Sequence, residues 1–304
     1  MKKLLGIALA SAAAGLCLSA LKKASDEQTV ELSPVKRSSP NKKAILVVSF
    51  GTSYAQTREK TIGAIEEDFR SAFPEYTIRR AFTSKMIIKK LRERDGIEVD
   101  TVAQALEKLE AEGYSTVICQ PTHVMGGFEF DDVKREVENW KGRFDHIACG
   151  WPLLTSSEDY EQVTEALVQE FSNIPSDATL VLMGHGTEHP ANATYPALDY
   201  RLKARGCKNF FVGTVEGYPD LQTVMQEVAA IHASKVFLAP LMVVAGDHAI
   251  NDLCGEEEDS WKSCFEQAGY QTEPILKGLG EYPVFRRIYL EHCVQCIQSL
   301  ESEQ

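Results

Sequence analysis

A chain of 304 residues with 44% hydrophobic and 25% charged side chains has a soluble globular composition, with apolar material for one large or two medium domains. Its net charge of −12 sets it against general nucleic-acid binding, which draws on basic surface. Its eight cysteines, irregularly spaced, make no disulfide framework.

In chain order, Lys2 and Lys3 precede the apolar run Leu4–Leu16, and Leu18-Ser19-Ala20 offers a small-residue cleavage site. Residues 1–24 therefore read as a secretory signal peptide, which predicts an exported, periplasmic protein. Left uncleaved, Leu4–Leu21 is a marginal membrane anchor. Cys17 suggests a lipoprotein, but the bulky Leu16 before it suits that reading poorly. Residues 25–41 are polar, carry Pro34 and Pro40 and lack periodicity, so they read as a flexible leader.

From Lys42 onward, strand-like and helix-like segments alternate. The first four strands are expected at Ala44–Phe50, Tyr76–Phe82, Thr116–Gln120 and Asp145–Gly150. Their helices are expected near Gln56–Ala72, Met86–Arg92 with Thr101–Glu112, Asp132–Trp140, and Ser157–Phe171. After a break containing Pro175, four more strands are expected at Thr179–Met183, Asn209–Thr214, Lys235–Ala239 and Gln271–Leu276. The helices between and after them fall near Ala193–Ala204, Asp220–His232, Glu257–Ala268 and Pro283–Leu300. Strict β-α alternation predicts an α/β fold with parallel sheets covered by helices.

The halves read as copies. Val48-Ser-Phe-Gly-Thr52 lines up with Met183-Gly-His-Gly-Thr187, and Ser115-Thr-Val-Ile-Cys-Gln-Pro121 with Ser234-Lys-Val-Phe-Leu-Ala-Pro240. Phe50 then matches His185, Gly127 matches Gly246, and Glu129 matches His248. The expectation is two Rossmann-like domains related by duplication, 42–175 and 176–304, with a cleft between them and the metal site on the second. Domain interfaces and strand ends are favoured places for ligands.

Three side chains stand just past consecutive strand ends of the second half: His185, Glu216 and His248. Neighbouring parallel strands are about 5 Å apart, so their loops can bring two imidazoles and a carboxylate around one cation. That donor set suits Co²⁺, Fe²⁺, Ni²⁺ or Zn²⁺ better than Mg²⁺ or Ca²⁺. Asp247 and Asp252 are candidate acceptors that would orient the imidazoles. In the first half, His123 and Glu129 are candidates for the opposite wall of the cleft. Arg79, Arg80, Lys85, Lys89, Lys90, Arg92 and Arg94 form either a solvated face or a cationic rim for a polyanionic ligand. The chain lacks a Walker-type loop, a G-x-S-x-G elbow and an H-E-x-x-H helix. Cys293-Val-Gln-Cys296 is a single C-x-x-C, read as structural.

Taken together, Leu46-Val-Val-Ser-Phe-Gly-Thr-Ser53, Arg80-Ala-Phe-Thr-Ser84, Arg94-Asp-Gly-Ile97, Met183-Gly-His-Gly186, Val215-Glu216, Ala245-Gly-Asp-His-Ala-Ile-Asn-Asp252, Asp259-Ser-Trp-Lys262 and Gly278-Leu-Gly-Glu281 carry a specific resemblance. From about Lys42 to Leu300 the chain resembles the anaerobic-pathway cobaltochelatases that insert Co²⁺ into sirohydrochlorin, class II chelatases related to ferrochelatase. The resemblance implies two Rossmann-like domains with the tetrapyrrole in the cleft. It also implies a divalent metal held by His185, Glu216 and His248, with His185 as proton acceptor. Arg80 and Lys85, with their basic neighbours, would then meet the substrate's carboxylates. The alternative is an exported tetrapyrrole or haem carrier that reuses the pocket without catalysis. Homo-oligomerisation stays open on the sequence.

Overall fold

Residues 41–302 are described by the computed structural model. The signal-peptide reading of 1–24 lies outside them, as does the leader reading apart from Asn41.

Each half forms a four-stranded parallel sheet. The first consists of β1 (Lys43–Ser49), β2 (Tyr76–Phe82), β3 (Thr116–Pro121) and β4 (His146–Cys149), in the order β2-β1-β3-β4. The second consists of β5 (Ala178–Gly184), β6 (Phe210–Thr214), β7 (Lys235–Pro240) and β8 (Gln271–Pro274), in the order β6-β5-β7-β8. The predicted α/β class with two Rossmann-like sheets is what the chain forms. The topologies repeat, and so does the register: Val48 pairs with Pro121 as Met183 pairs with Pro240. Those pairs join the residues that the sequence comparison of the halves had matched.

Period-2 alternation sorts each central strand onto two apolar faces. Ile45 and Val47 of β1 face one core, while Ala44, Leu46 and Val48 face another. Leu180 and Leu182 of β5 join the first of these cores, and Val181 and Met183 join a third. Burial on both faces is why these strands read as continuous apolar runs. The outer faces are covered by α4 (Val102–Ala111) and α5 (Phe128–Asn139) on the first sheet, and by α8 (Leu221–Ala230) and α9 (Trp261–Gln267) on the second.

The inner faces share one core. It includes Ile65 and Phe69 of α2 (Ala64–Ala72), Val163 and Leu167 of α6 (Ser157–Glu170), Tyr195 and Leu198 of α7 (Thr194–Ala204), and Phe285 and Tyr289 of α10 (Pro283–Ser302). Although it follows β8, α10 packs against β3, β4, α2 and α6 of the first half. The described residues accordingly form one compact unit.

The largest differences from the expected helix boundaries are three, each with a local reason. The first helix is interrupted: α1 (Ala55–Arg58) leads through a π-helical turn, Glu59–Gly63, into α2. Helix α5 starts a turn early, at Phe128, where Glu129 and Asp131 place negative charge in its first turn and favour the helix dipole. Helix α9 starts late because Ser260 caps it by accepting from Ser263 N. Strand β8 stops at Pro274, which has no N–H to extend the ladder. The seven described cysteines are free thiols.

Candidate functional site

The loops after β5, β6 and β7 carry the three predicted ligands. Gly184 ends β5 with no room for a side chain, since a Cβ there would lie 2.1 Å from the Tyr195 ring. Gly186 holds a positive φ of 84°, a conformation glycine adopts without steric penalty. A Cβ at Gly186 would lie 2.6 Å from Gly217 N. This close approach lets Glu216 N donate to His185 O at 2.8 Å, which lashes two of the ligand-bearing loops together. His248 comes from the third loop, at the N-cap of a π-helical turn, Ala249–Leu253.

His185, Glu216 and His248 each offer a ligand atom, and these atoms lie within 4.8 Å of one another. Among the described residues this is the only such group of His, Cys, Asp and Glu. The two imidazole rings are 4.6 Å apart and nearly perpendicular at 88°. His185 Nδ1 is 3.7 Å from Glu216 Oε2. Ligand atoms about 2.0–2.2 Å from a shared ion stand at most about 4.4 Å apart, so a small side-chain rotation completes the set. All three side chains keep solvent access, at 42%, 60% and 34% in chain order.

Hydrogen bonds decide which nitrogen of each ring keeps its lone pair. His185 Nδ1 lies 2.9 Å from Gly186 O, and a carbonyl only accepts, so Nδ1 carries the proton. His248 Nδ1 lies 2.5 Å from Asp252 Oδ2. In both rings the lone pair is left on Nε2, and the acceptor raises ligand basicity. Asp252→Ala is expected to weaken divalent-cation binding about 10–100-fold, read by calorimetric titration of the purified protein with Co²⁺; unchanged affinity would remove Asp252 from the site.

Asp247, the other candidate acceptor, is engaged elsewhere. It takes a hydrogen bond from Tyr54 Oη at 2.9 Å, which joins the loop after β1 to the loop after β7. On the other side, His189 Nε2 lies 3.2 Å from Asp131 Oδ2 and its ring meets the Phe128 ring edge-on at 4.8 Å. That joins the loop after β5 to the start of α5. Although it lies in a turn beside Pro190, His189 bridges the halves with only 20% of its side chain exposed. The signal was in the repeat: continued without a gap, Tyr54 matches His189 and Phe128 matches Asp247. The carboxyl edges of both sheets are therefore joined at two related places.

The remaining candidates divide. Lys85 is exposed at the start of α3 (Lys85–Asp95), just past the β2 end. Arg80 sits within β2 and donates twice to the buried Glu66, at 2.6 and 2.8 Å. Arg79, Arg92 and Arg94 pair with Glu112, Glu98 and Asp95. Arg94 also donates to Ser53 O, and the buried Arg58 donates to Thr52 O, so two guanidiniums brace the loop after β1. His123 has both ring nitrogens out of solvent contact and without a hydrogen-bond partner. Burial pushes its pKa down to about 4, so its imidazole is neutral. Glu129 is half-buried in the first turn of α5.

A family model described as cobalt chelatase (CbiK) matches residues 43–298. A sirohydrochlorin cobaltochelatase of Salmonella typhimurium is 44% identical over 262 residues, covering 86% of this chain and 99% of that protein. Sirohydrochlorin cobaltochelatase CbiKC of Nitratidesulfovibrio vulgaris is 34% identical over 276 residues, 89% of this chain and 96% of its own. Among solved structures, SirB from Bacillus subtilis with Fe³⁺ superposes with a TM-score of 0.58, covering 86% of this chain and 98% of its own. At 14% identity, that is a likeness of fold.

Proposed function

The chain belongs to the cobalt chelatase family, and from that membership we propose that it inserts Co²⁺ into sirohydrochlorin, with His185, Glu216 and His248 receiving the ion. The observation that carries the reading is the convergence of those three side chains at the carboxyl edge of the second sheet. In the reaction the macrocycle exchanges two pyrrole N–H protons for one divalent cation.

Glu216 and His248 hold the incoming Co²⁺, which is substrate, in a set with room for further ligands. Three protein ligands leave positions from which macrocycle nitrogens displace water and then the protein. Once the macrocycle nitrogens have displaced it from the ion, His185 Nε2 takes a pyrrole proton, since an imidazole is suited to accept one near neutral pH. The second proton leaves to solvent, to which all three side chains are open. An anionic carboxylate beside the accepting imidazole stabilises the imidazolium formed.

The placement of the reaction belongs to the same proposal. The basic start, the apolar run and the small-residue site within residues 1–24 support export and cleavage, so the mature enzyme acts outside the cytoplasm. N-terminal sequencing of the protein from a periplasmic fraction tests this, and an intact Met1 would contradict it.

The activity is tested anaerobically with purified mature protein, sirohydrochlorin and Co²⁺, followed by absorption spectroscopy, with Fe²⁺ and a protoporphyrin in parallel. Cobalt insertion into sirohydrochlorin well above the uncatalysed rate is expected. Stoichiometric haem in the purified protein with no metal insertion would overturn the reading in favour of a carrier.

A further inference from the structure

Two of the three ligand-bearing loops are tied directly to each other, since Glu216 N donates to His185 O. The third, which carries His248, is placed by other means. Its root is fastened within the second half: Leu279 N donates to Met242 O at 2.8 Å and Gly280 N to Val243 O at 2.9 Å. Within its own turn, the bond from His248 Nδ1 to Asp252 Oδ2 sets the rotation of the ring. Neither tie sets where the tip of the loop, at Gly246 and Asp247, stands relative to His185 and Glu216.

The tip meets the first half. Tyr54 Oη donates to Asp247 Oδ1 at 2.9 Å, and Thr52 Oγ1 lies 3.6 Å from where a Cβ on Gly246 would sit. Asp247 is exposed, but the residue that grips it is firmly held. Tyr54 N donates to Thr52 Oγ1 at 3.2 Å, and Tyr54 O accepts from Arg58 N at 2.9 Å, at the N-cap of α1. Behind it, Arg58 donates to Thr52 O at 3.1 Å and Arg94 donates to Ser53 O. Arg94 is clamped in turn by both carboxylate oxygens of Asp95 at 2.7 Å. The bond to Asp247 is the main cause of a raised Tyr54 pKa, as expected of a phenol that donates to a carboxylate.

We propose that Tyr54 is a positioning residue for the cation site: through Asp247 its hydroxyl sets the place of His248 against the already joined His185 and Glu216. The first half of the duplication thereby tunes a metal set borne wholly by the second. Groups beyond the ligands commonly govern metal affinity in this way, by fixing where a ligand stands. The role deepens the Co²⁺ reading above and rests on it. It also gives the basic run a task at Arg94, which braces the loop from which Tyr54 reaches across.

The test is calorimetric titration of the mature protein with Co²⁺ alone, beside steady-state insertion into sirohydrochlorin. Tyr54→Phe, which removes only the hydroxyl, is expected to weaken Co²⁺ binding about three- to tenfold, the worth of one hydrogen bond. The KM for Co²⁺ should rise by a similar factor, while the KM for sirohydrochlorin stays within twofold of wild type. In an Asp247→Ala background the same substitution is expected to lower Co²⁺ affinity no further, because its partner is gone. Equal Co²⁺ affinities for wild type and Y54F, even with a lowered Tm, would reduce Tyr54 to a structural tie and overturn the proposal. So would a Y54F effect that persisted undiminished in the D247A background. Weakened Co²⁺ binding in Y54F with no insertion by wild type would sink the proposed function and leave the positioning role standing. Rapid insertion by wild type with Co²⁺ binding unchanged in Y54F would do the reverse.

Discussion

His185→Ala is expected to cut Co²⁺ insertion into sirohydrochlorin by about 10²–10⁴-fold, the range spanned by loss of a positioned general base. The expectation rests on geometry: Nδ1 is committed to Gly186 O at 2.9 Å, so Nε2 is the nitrogen free to accept. His185 is also a candidate ligand, and the two roles separate kinetically. Removing a ligand weakens Co²⁺ binding and raises the KM for metal, whereas removing the base lowers kcat at saturating metal. For His248→Ala and Glu216→Ala the larger change is expected in the KM for Co²⁺. For His185→Ala, kcat is expected to stay depressed however much Co²⁺ is supplied. A wild-type kcat in that variant with metal bound would take the base role from His185.

The second large effect lies away from the cleft. Asp159→Ala is expected to lower stability by about 2–4 kcal/mol, from a buried hydrogen-bonding group left without its partner together with a lost helix cap, and to reduce Tm by about 5–10 °C. Asp159 is 6% exposed and His292 of α10 is 3% exposed. His292 Nε2 lies 2.9 Å from Asp159 Oδ1, and its Nδ1 lies 3.1 Å from Trp151 O. Asp159 Oδ2 also accepts from Ser156 N at 2.6 Å and Thr155 N at 3.0 Å, which closes the capping box of α6. One substitution therefore uncaps a helix and strands a buried histidine that fastens α10 to the first half.

The pH dependence of that effect has a definite sign. Burial alone would raise the Asp159 pKa, but hydrogen bonds from His292 and from the N–H groups of Ser156 and Thr155 hold it below the ordinary carboxylate value. A depressed folded pKa contributes stability that is present above the unfolded value, about 3.9, and is lost as pH falls through the folded value. The stability gap between wild type and Asp159→Ala, measured by urea unfolding, is therefore expected to be widest near neutrality and to narrow below about pH 4. A gap that widened in acid would contradict the assignment.

Much of this molecule was readable from its sequence for physical reasons. Strands buried on both faces must be apolar throughout, so β1, β3, β5 and β7 announce themselves. A ligand at a parallel strand end sits next to a glycine-bearing turn, which made His185 and Glu216 legible, and the internal repeat drew attention to His248 opposite Glu129. Pairings between distant segments were not legible. The cationic run at Arg79–Arg94 looks unpaired in sequence because its partners Glu66 and Glu112 belong to other elements. Likewise, nothing local to His292 names Asp159, nor does anything local to Tyr54 name Asp247. Helix α5 begins before the expected Asp132 because its first residue, Phe128, is exposed and so stands outside the amphipathic pattern that marks a helix in sequence.

The central claim is that His185, Glu216 and His248 close around one cobalt ion at the edge of the cleft. Anomalous diffraction at the cobalt absorption edge, from crystals of the full chain grown anaerobically with Co²⁺, tests it directly. The account predicts a single strong peak about 2.0–2.2 Å from both imidazole Nε2 atoms and a Glu216 carboxylate oxygen. Cobalt bound at another set of side chains, with those three left apart, would contradict it.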